Sequence, residues 1–251
     1  MAAEGKAIDA LSQFKLNTVL GPLGASVNFS QSNMFMLVGA GLTLALLYFG
    51  MRPRAVVPGR LQALAEMSYK FVHDMCVDQI GEAGKRYFPF VFTLFFFVLM
   101  GNLIGLLPLA FTYTSHIAVT GALAALVVIV TTVVALRIHG LHFFTYFFPA
   151  GSPKALAPLI IPIEIISYLS RLVSLSVRLF ANMVAGHVLL KVFASFIVML
   201  GGVGILGQII AVGPFVVTVG LIGFELLVAF LQAYVFAILT CIYLHDAVHL
   251  H

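Results

Sequence analysis

The stretch EIISYLSRLVSLSVRLFANMVAGHVLLKVFASFIVML, residues 164–200, decides the fold. Between Ala155 and Leu200 the only charged or imidazole side chains are Glu164, Arg171, Arg178, His187 and Lys191, and between Val192 and Leu244 there is Glu225 alone. A helix of about 45 residues is about 67 Å long, roughly twice what crosses a hydrocarbon core of about 30 Å. Ordinary spans tilt by about 20°, which does not absorb so much length. Gly201, Gly202, Gly204, Gly207 and the Gly213-Pro214 pair offer the turn between the two stretches. The expected result is a long oblique helical hairpin, 157–200 and 205–245.

Working outward, the runs 34–51, 88–113 and 117–136 are uncharged and each long enough to span a bilayer. Of the 251 residues, 62% are hydrophobic and 9% charged, against about 45–50% and about 25% in soluble domains. Mean hydropathy is +1.12. The fold class is therefore an all-α integral membrane protein, one polytopic domain over residues 1–251 with about five membrane helices, the last two long and strongly tilted. Arg52, Arg54, Arg60, Lys70, Lys85 and Arg86 gather between the first two spans, which makes that loop cytoplasmic. Alternation then places the amino-terminal segment 1–33 outside and the carboxy terminus in the cytoplasm or matrix. The amino-terminal segment lacks the charged start, apolar stretch and small-residue site of a signal peptide.

Within the first cytoplasmic loop, Leu61, Leu64, Ala65, Met67, Ser68 and Phe71 recur at helical spacing. That pattern suits an amphipathic helix lying in the interface or one packed on a partner. The net charge of +4 is spread beside membrane spans and not along one basic arm, which argues against nucleic acid. Cys76 and Cys241 lie far apart in unlike contexts and read as separate packing thiols. His139 and His142, and His245, His249 and His251, have spacings that could ligate a metal. Interfacial histidines need none, however, and no metal or cofactor is expected. Gly101 and Gly105 suggest close helix packing, and Phe95, Phe96 and Phe97 suggest bulk facing lipid.

Charges inside a span cost about 2.5–3.5 kcal/mol each on insertion scales, so they call for a reason. At 100° per residue Glu164, Ser167, Arg171, Ser174, Arg178 and Asn182 fall within an arc of about 80°. His187 and Lys191 lie on nearly the opposite face. On the next helix Thr218, Glu225 and Gln232 again share a narrow arc, because seven residues almost close two turns. Hydrogen bonding between helices explains Ser174 well. It explains Arg178 poorly, since a guanidinium keeps its charge and acts as a fixed positive site. Glutamate and histidine can exchange protons. His187 and Glu225 are placed on one proton path.

The run SLSVRLFANMVAGH, residues 174–187, resembles the signature of subunit a of bacterial and mitochondrial rotary ATP synthases. The likeness extends to NLIGLLP at 102–108, TSH at 114–116 and LQAYVF at 231–236, and covers most of the chain from about Asn28 onward. The resemblance implies a proton-translocating stator that faces a ring of c subunits, is held by b-type peripheral-stalk subunits, and opens one aqueous half-channel to each side. Its site is a bacterial inner membrane or the mitochondrial inner membrane. Arg178 matches the family's essential arginine; Asn182 and Gln232 match its neighbours; Glu164, Ser167 and Arg171 match polar positions on the same helix. His187 and Glu225 match two ionisable positions on a proton path, in the order found in alphaproteobacterial and mitochondrial members. The competing class is a self-contained, ion-coupled secondary transporter, for which the internal repeat is missing. A purely structural anchor has no use for Arg178 and Glu225. No Gly-x-x-x-x-Gly-Lys-Ser/Thr loop is present, so ATP chemistry belongs to partners.

Overall fold

Long apolar segments in lipid must satisfy every backbone N–H and C=O internally, and this chain does so with helices. The computed structural model describes residues 18–20, 29–52, 58–107, 110–140, 142–143, 157–202 and 204–249. Most of the amino-terminal segment, together with Arg54, Pro108, Lys154 and His251, lies outside the described residues. Two short strands, β1 (Thr18–Leu20) and β2 (Phe29–Ser30), pair antiparallel ahead of the first helix. Then follow α1 (Gln31–Met51), α2 (Arg60–Ile80), α3 (Gly84–Gly105), a 3-10 turn (Tyr113–Ser115), α4 (Ile117–His139), α5 (Ala157–Gly201) and α6 (Ile205–Val248). All but α2 are long and apolar enough to cross a membrane.

The two long helices are each continuous, with 45 residues in α5 and 44 in α6. At about 1.5 Å per residue they lie steeply tilted if their apolar length is to stay within the bilayer. The turn between them is confined to the Gly201–Gly204 region, where Gly204 adopts a φ of 96°, a conformation that suits a residue without a β-carbon. The expectation that Gly213-Pro214 would share in that turn is corrected, because Pro214 sits inside α6. It lies past the first turn of the helix, where its missing N–H removes the ladder bond to the Ile210 carbonyl.

The core gathers on α3, which is covered by α2 and α6. Phe95 and Phe96 are each only 2% exposed, so the expectation that they face lipid is overturned. Helix α6 presents Glu225, Ala229, Ala233, Ala237 and Cys241 as a buried row at every fourth position. Four of the five are small, and this lets neighbouring backbones approach closely. The opposite faces of the long helices carry large exposed apolar side chains such as Ile166, Val173, Ile222 and Phe224. In water these would be a liability; against lipid they are an ordinary surface.

Helix α2 keeps most of the apolar stripe read from the sequence on its outer face, with Ala65 the exception. Val72, Met75, Cys76 and Ile80 pack inward with Ala65, whereas Leu61, Leu64, Met67 and Phe71 are exposed. Its apolar stripe is thus available to lipid while small and β-branched side chains meet the protein. The cysteines are also closer than their separation suggests. Cys76 on α2 and Cys241 on α6 are free, buried thiols with sulfurs 3.7 Å apart. Gly101 and Gly105 serve a close approach, but to the chain after α3 and not to another helix. A β-carbon at Gly101 would lie 2.5 Å from the Tyr113 ring, and one at Gly105 would collide with Thr112.

Candidate functional site

Glu225 stands at the head of the buried row on α6, with its side chain 5% exposed. A carboxylate at that depth needs a partner or a polar cavity. His187 on α5 supplies the partner, its Nδ1 being 3.8 Å from Glu225 Oε1. What permits the approach is Gly186. A β-carbon there would stand 2.6 Å from Glu225 Oε1 and 3.1 Å from Cδ, so the absence of a side chain lets the carboxylate reach past α5.

The other imidazole nitrogen, Nε2, is 2.9 Å from Thr112 Oγ1. Thr112 belongs to the segment that closes the α3–α4 connection, and its own carbonyl accepts a hydrogen bond from Ser115 Oγ at 2.5 Å. The same segment reaches α6. Thr114 donates to Asn102 Oδ1 at 2.8 Å, and Asn102 Nδ2 donates to the carbonyl of Ala229 at 3.2 Å, one turn beyond Glu225. Tyr113 donates to the carbonyl of Phe97 at 2.6 Å.

On its other side Glu225 borders a cavity of about 170 Å³, lined among others by Asn182, Gly186, Leu221 and Val228. Both carboxylate oxygens of Glu225 and Asn182 Nδ2 are buried without a hydrogen-bond partner among the described residues. The rest of the lining is apolar, so Asn182 and Glu225 are the groups that would hold water in this space, and water there can bridge groups too far apart for direct contact.

The polar stripe of α5 divides. Arg178, near the middle of the helix, is exposed. It lies on the side of α5 opposite His187 by helical geometry, and among the described residues it makes no ion pair. Asn182 joins the Glu225 cavity. Arg171 instead pairs with Asp246 of α6 at 3.1 Å, its guanidinium 5.6 Å from the centre of the Tyr168 ring and 5.0 Å from that of Tyr243. Ser167 is exposed, and Glu164 and Gln232 are half-buried away from these contacts. Thr218 donates to the carbonyl of Pro214 at 2.8 Å, so its hydroxyl serves its own helix. The histidines with metal-compatible spacing make other contacts. His139 Nε2 approaches the Val248 carbonyl at 3.2 Å, and the His245 and His249 rings lie 4.8 Å apart.

Thr112, Gly186 and Asp246 escaped the sequence reading. Asp246 had a signal, since Arg171 inside a span required an acid and Asp246 is the only one after Glu225. Gly186 had a fainter one in its place beside His187. Thr112 had none, because its bond joins residues 75 apart.

Five apolar spans and an ionisable pair buried between the two longest helices define a helical membrane protein that handles ions within the bilayer. The chain belongs to the ATP synthase A chain family, whose model matches residues 33–245. It is 67% identical over 252 residues, all of both chains, to the ATP synthase subunit a of Granulibacter bethesdensis. It is 62% identical to that of Gluconacetobacter diazotrophicus over 98% of this chain and 99% of the relative, and 52% identical to that of Rhodospirillum rubrum over 91% and 92%. Membership makes it a membrane-sector subunit concerned with proton transport.

Proposed function

We propose that the chain is the stator of the membrane sector of a rotary ATP synthase in a bacterial inner membrane, presenting Arg178 to carboxylates on a rotating ring of c subunits. It acts as one polytopic domain over residues 1–251, held against the ring by b-type peripheral-stalk subunits. The observation that carries this reading is an exposed arginine, without an ion-pair partner among the described residues, near the middle of a 45-residue apolar helix. A charge so placed costs about 2.5–3.5 kcal/mol unless another chain brings an anion to it.

The mechanism follows from two properties. A ring carboxylate protonated from one side of the membrane is neutral and passes through lipid at tolerable cost. On meeting Arg178 it is drawn into the anionic form, because a fixed positive charge lowers a neighbouring carboxyl pKa. Its proton then leaves toward the other side. The guanidinium does not release a proton of its own, and its charge repels protons that would cross directly. His187, Glu225 and the cavity at Asn182 form one aqueous half-channel. Glu164, Ser167 and Arg171 belong to the other, and Gln232 lies beside Arg178. The membrane potential sets direction, at about 2.3 kcal/mol per charge per 100 mV.

The test is Arg178→Ala in the assembled complex. ATP synthesis driven by a proton gradient in membrane vesicles should fall by about two orders of magnitude or more, the scale on which loss of a preorganised charge acts. Passive proton leak should rise. Retained ATP synthesis would defeat the proposal.

A further inference from the structure

We infer that Thr112 is a positioning residue for proton transfer at His187, holding the imidazole so that Nδ1 faces Glu225 in either neutral tautomer. The inference deepens the proposed function and rests on its assignment of His187 and Glu225 to one proton path. Its basis is a hydroxyl and not an amide or a carbonyl at 2.9 Å from Nε2. A threonine hydroxyl both donates and accepts. When it donates to Nε2, the ring proton sits on Nδ1, aimed at the carboxylate of Glu225. When it accepts from Nε2–H, the bare Nδ1 lone pair faces a protonated Glu225. Across the 3.8 Å between Nδ1 and Oε1 a bridging water carries the proton of Glu225 to the bare Nδ1, giving imidazolium and carboxylate while Nε2–H stays donated to Thr112. The reverse transfer restores the neutral pair, and the hydroxyl rotates only when Nε2 gives up its own proton to water. A backbone carbonyl in the same place would lock Nε2 as a donor and leave only one of these states.

The seat of Thr112 is built to keep the hydroxyl in place. The residue is 5% exposed, its carbonyl is held by Ser115 Oγ, and the bare backbone at Gly105 makes room for its side chain. Through Thr114 and Asn102 the same segment is tied to Ala229, so His187 and the helix bearing Glu225 are referred to one frame. The other charged or titratable groups around His187 are Lys191, a turn further along α5, and Tyr113 and His116 on the Thr112 segment. The Tyr113 hydroxyl is committed to Phe97, and the His116 ring stacks on Phe111 at 5.1 Å. Neither substitutes for the Thr112 hydroxyl.

The experiment measures ATP-driven proton pumping across pH in inverted membrane vesicles holding the full complex, with the amount of this subunit in the membrane checked by immunoblot. Thr112→Val keeps the shape and removes the hydroxyl. It should lower pumping by about tenfold, the order expected for one hydrogen bond to a group that becomes charged, and should displace the pH profile. Thr112→Ser should restore both. In a His187→Ala background Thr112→Val should add no further loss. If Thr112→Val does not accumulate, Thr112→Ala, which is smaller, takes its place in every comparison. A fall in rate with an unmoved pH profile, failure of serine to rescue, or an additive loss in the His187→Ala background would overturn the inference. If His187→Ala itself leaves pumping and its pH profile unchanged, the shared proton path has failed and not the role of Thr112 alone.

Discussion

At the scale of single residues, the site depends as much on an absent side chain as on those present. Glu225 reaches His187 because Gly186 has no β-carbon, and the 2.6 Å approach such an atom would make to Oε1 leaves no room for both. Gly186→Ala should therefore push the carboxylate away from the imidazole and cut ATP-driven pumping by about tenfold, short of the roughly 10²–10⁴-fold expected if the proton-transfer group were removed outright. Adding Glu225→Asp, one methylene shorter, should recover part of the rate in the double variant. A double variant worse than either single change would show that the approach over Gly186 is not what matters. The ionisable members of the site were legible in the sequence because charges in apolar helices stand out. Gly186 and Thr112 were not, since a close approach or a hydrogen bond between distant segments leaves no periodic trace.

At the scale of helices, length proved the most legible property and facing the least. Two sparsely charged apolar stretches of double length implied the α5–α6 hairpin, and both helices run unbroken. Pattern misjudged Phe95 and Phe96, and left open what covers the stripe of α2, for one physical reason. In a membrane both lipid and the protein core are apolar, so periodicity marks a face as dry without saying what covers it. The buried row of α6 is instead marked by small size at every fourth residue, a packing signal that hydropathy does not contain. The docking of α2 on α6 is open to a direct check, because Cys76 and Cys241 sulfurs lie 3.7 Å apart. Mild copper-catalysed air oxidation of membranes should join them, both thiols losing a proton and an electron to oxygen. Denaturation followed by a polyethylene-glycol maleimide should then show no mass shift until a reductant is added. Cys76→Ser should leave Cys241 reactive throughout. Thiols that stay reactive after oxidation of the wild-type chain would place α2 away from α6.

At the scale of the molecule, orientation follows from the basic residues beside the first two spans. Lys85, at the start of α3 and half-exposed beside Glu82, should face the cytoplasm. In a Cys76→Ser, Cys241→Ser background, Lys85→Cys should react with an impermeant maleimide in inverted vesicles and not in intact cells whose outer membrane has been opened; the reverse labelling would invert the topology. That orientation gives the placement of Arg178 and His187 on opposite sides of α5 a further meaning. A helix is about 10–12 Å across with its side chains, and in the proposed stator its body is an electrical insulator between two wet conductors. The breakdown strength of such a wall resides in how tightly its packed side excludes water, not in the number of charges it carries. Enlarging a gap beside Ala229 or Ala233, where α6 closes against its neighbours, would short-circuit the membrane while every ionisable group stayed in place.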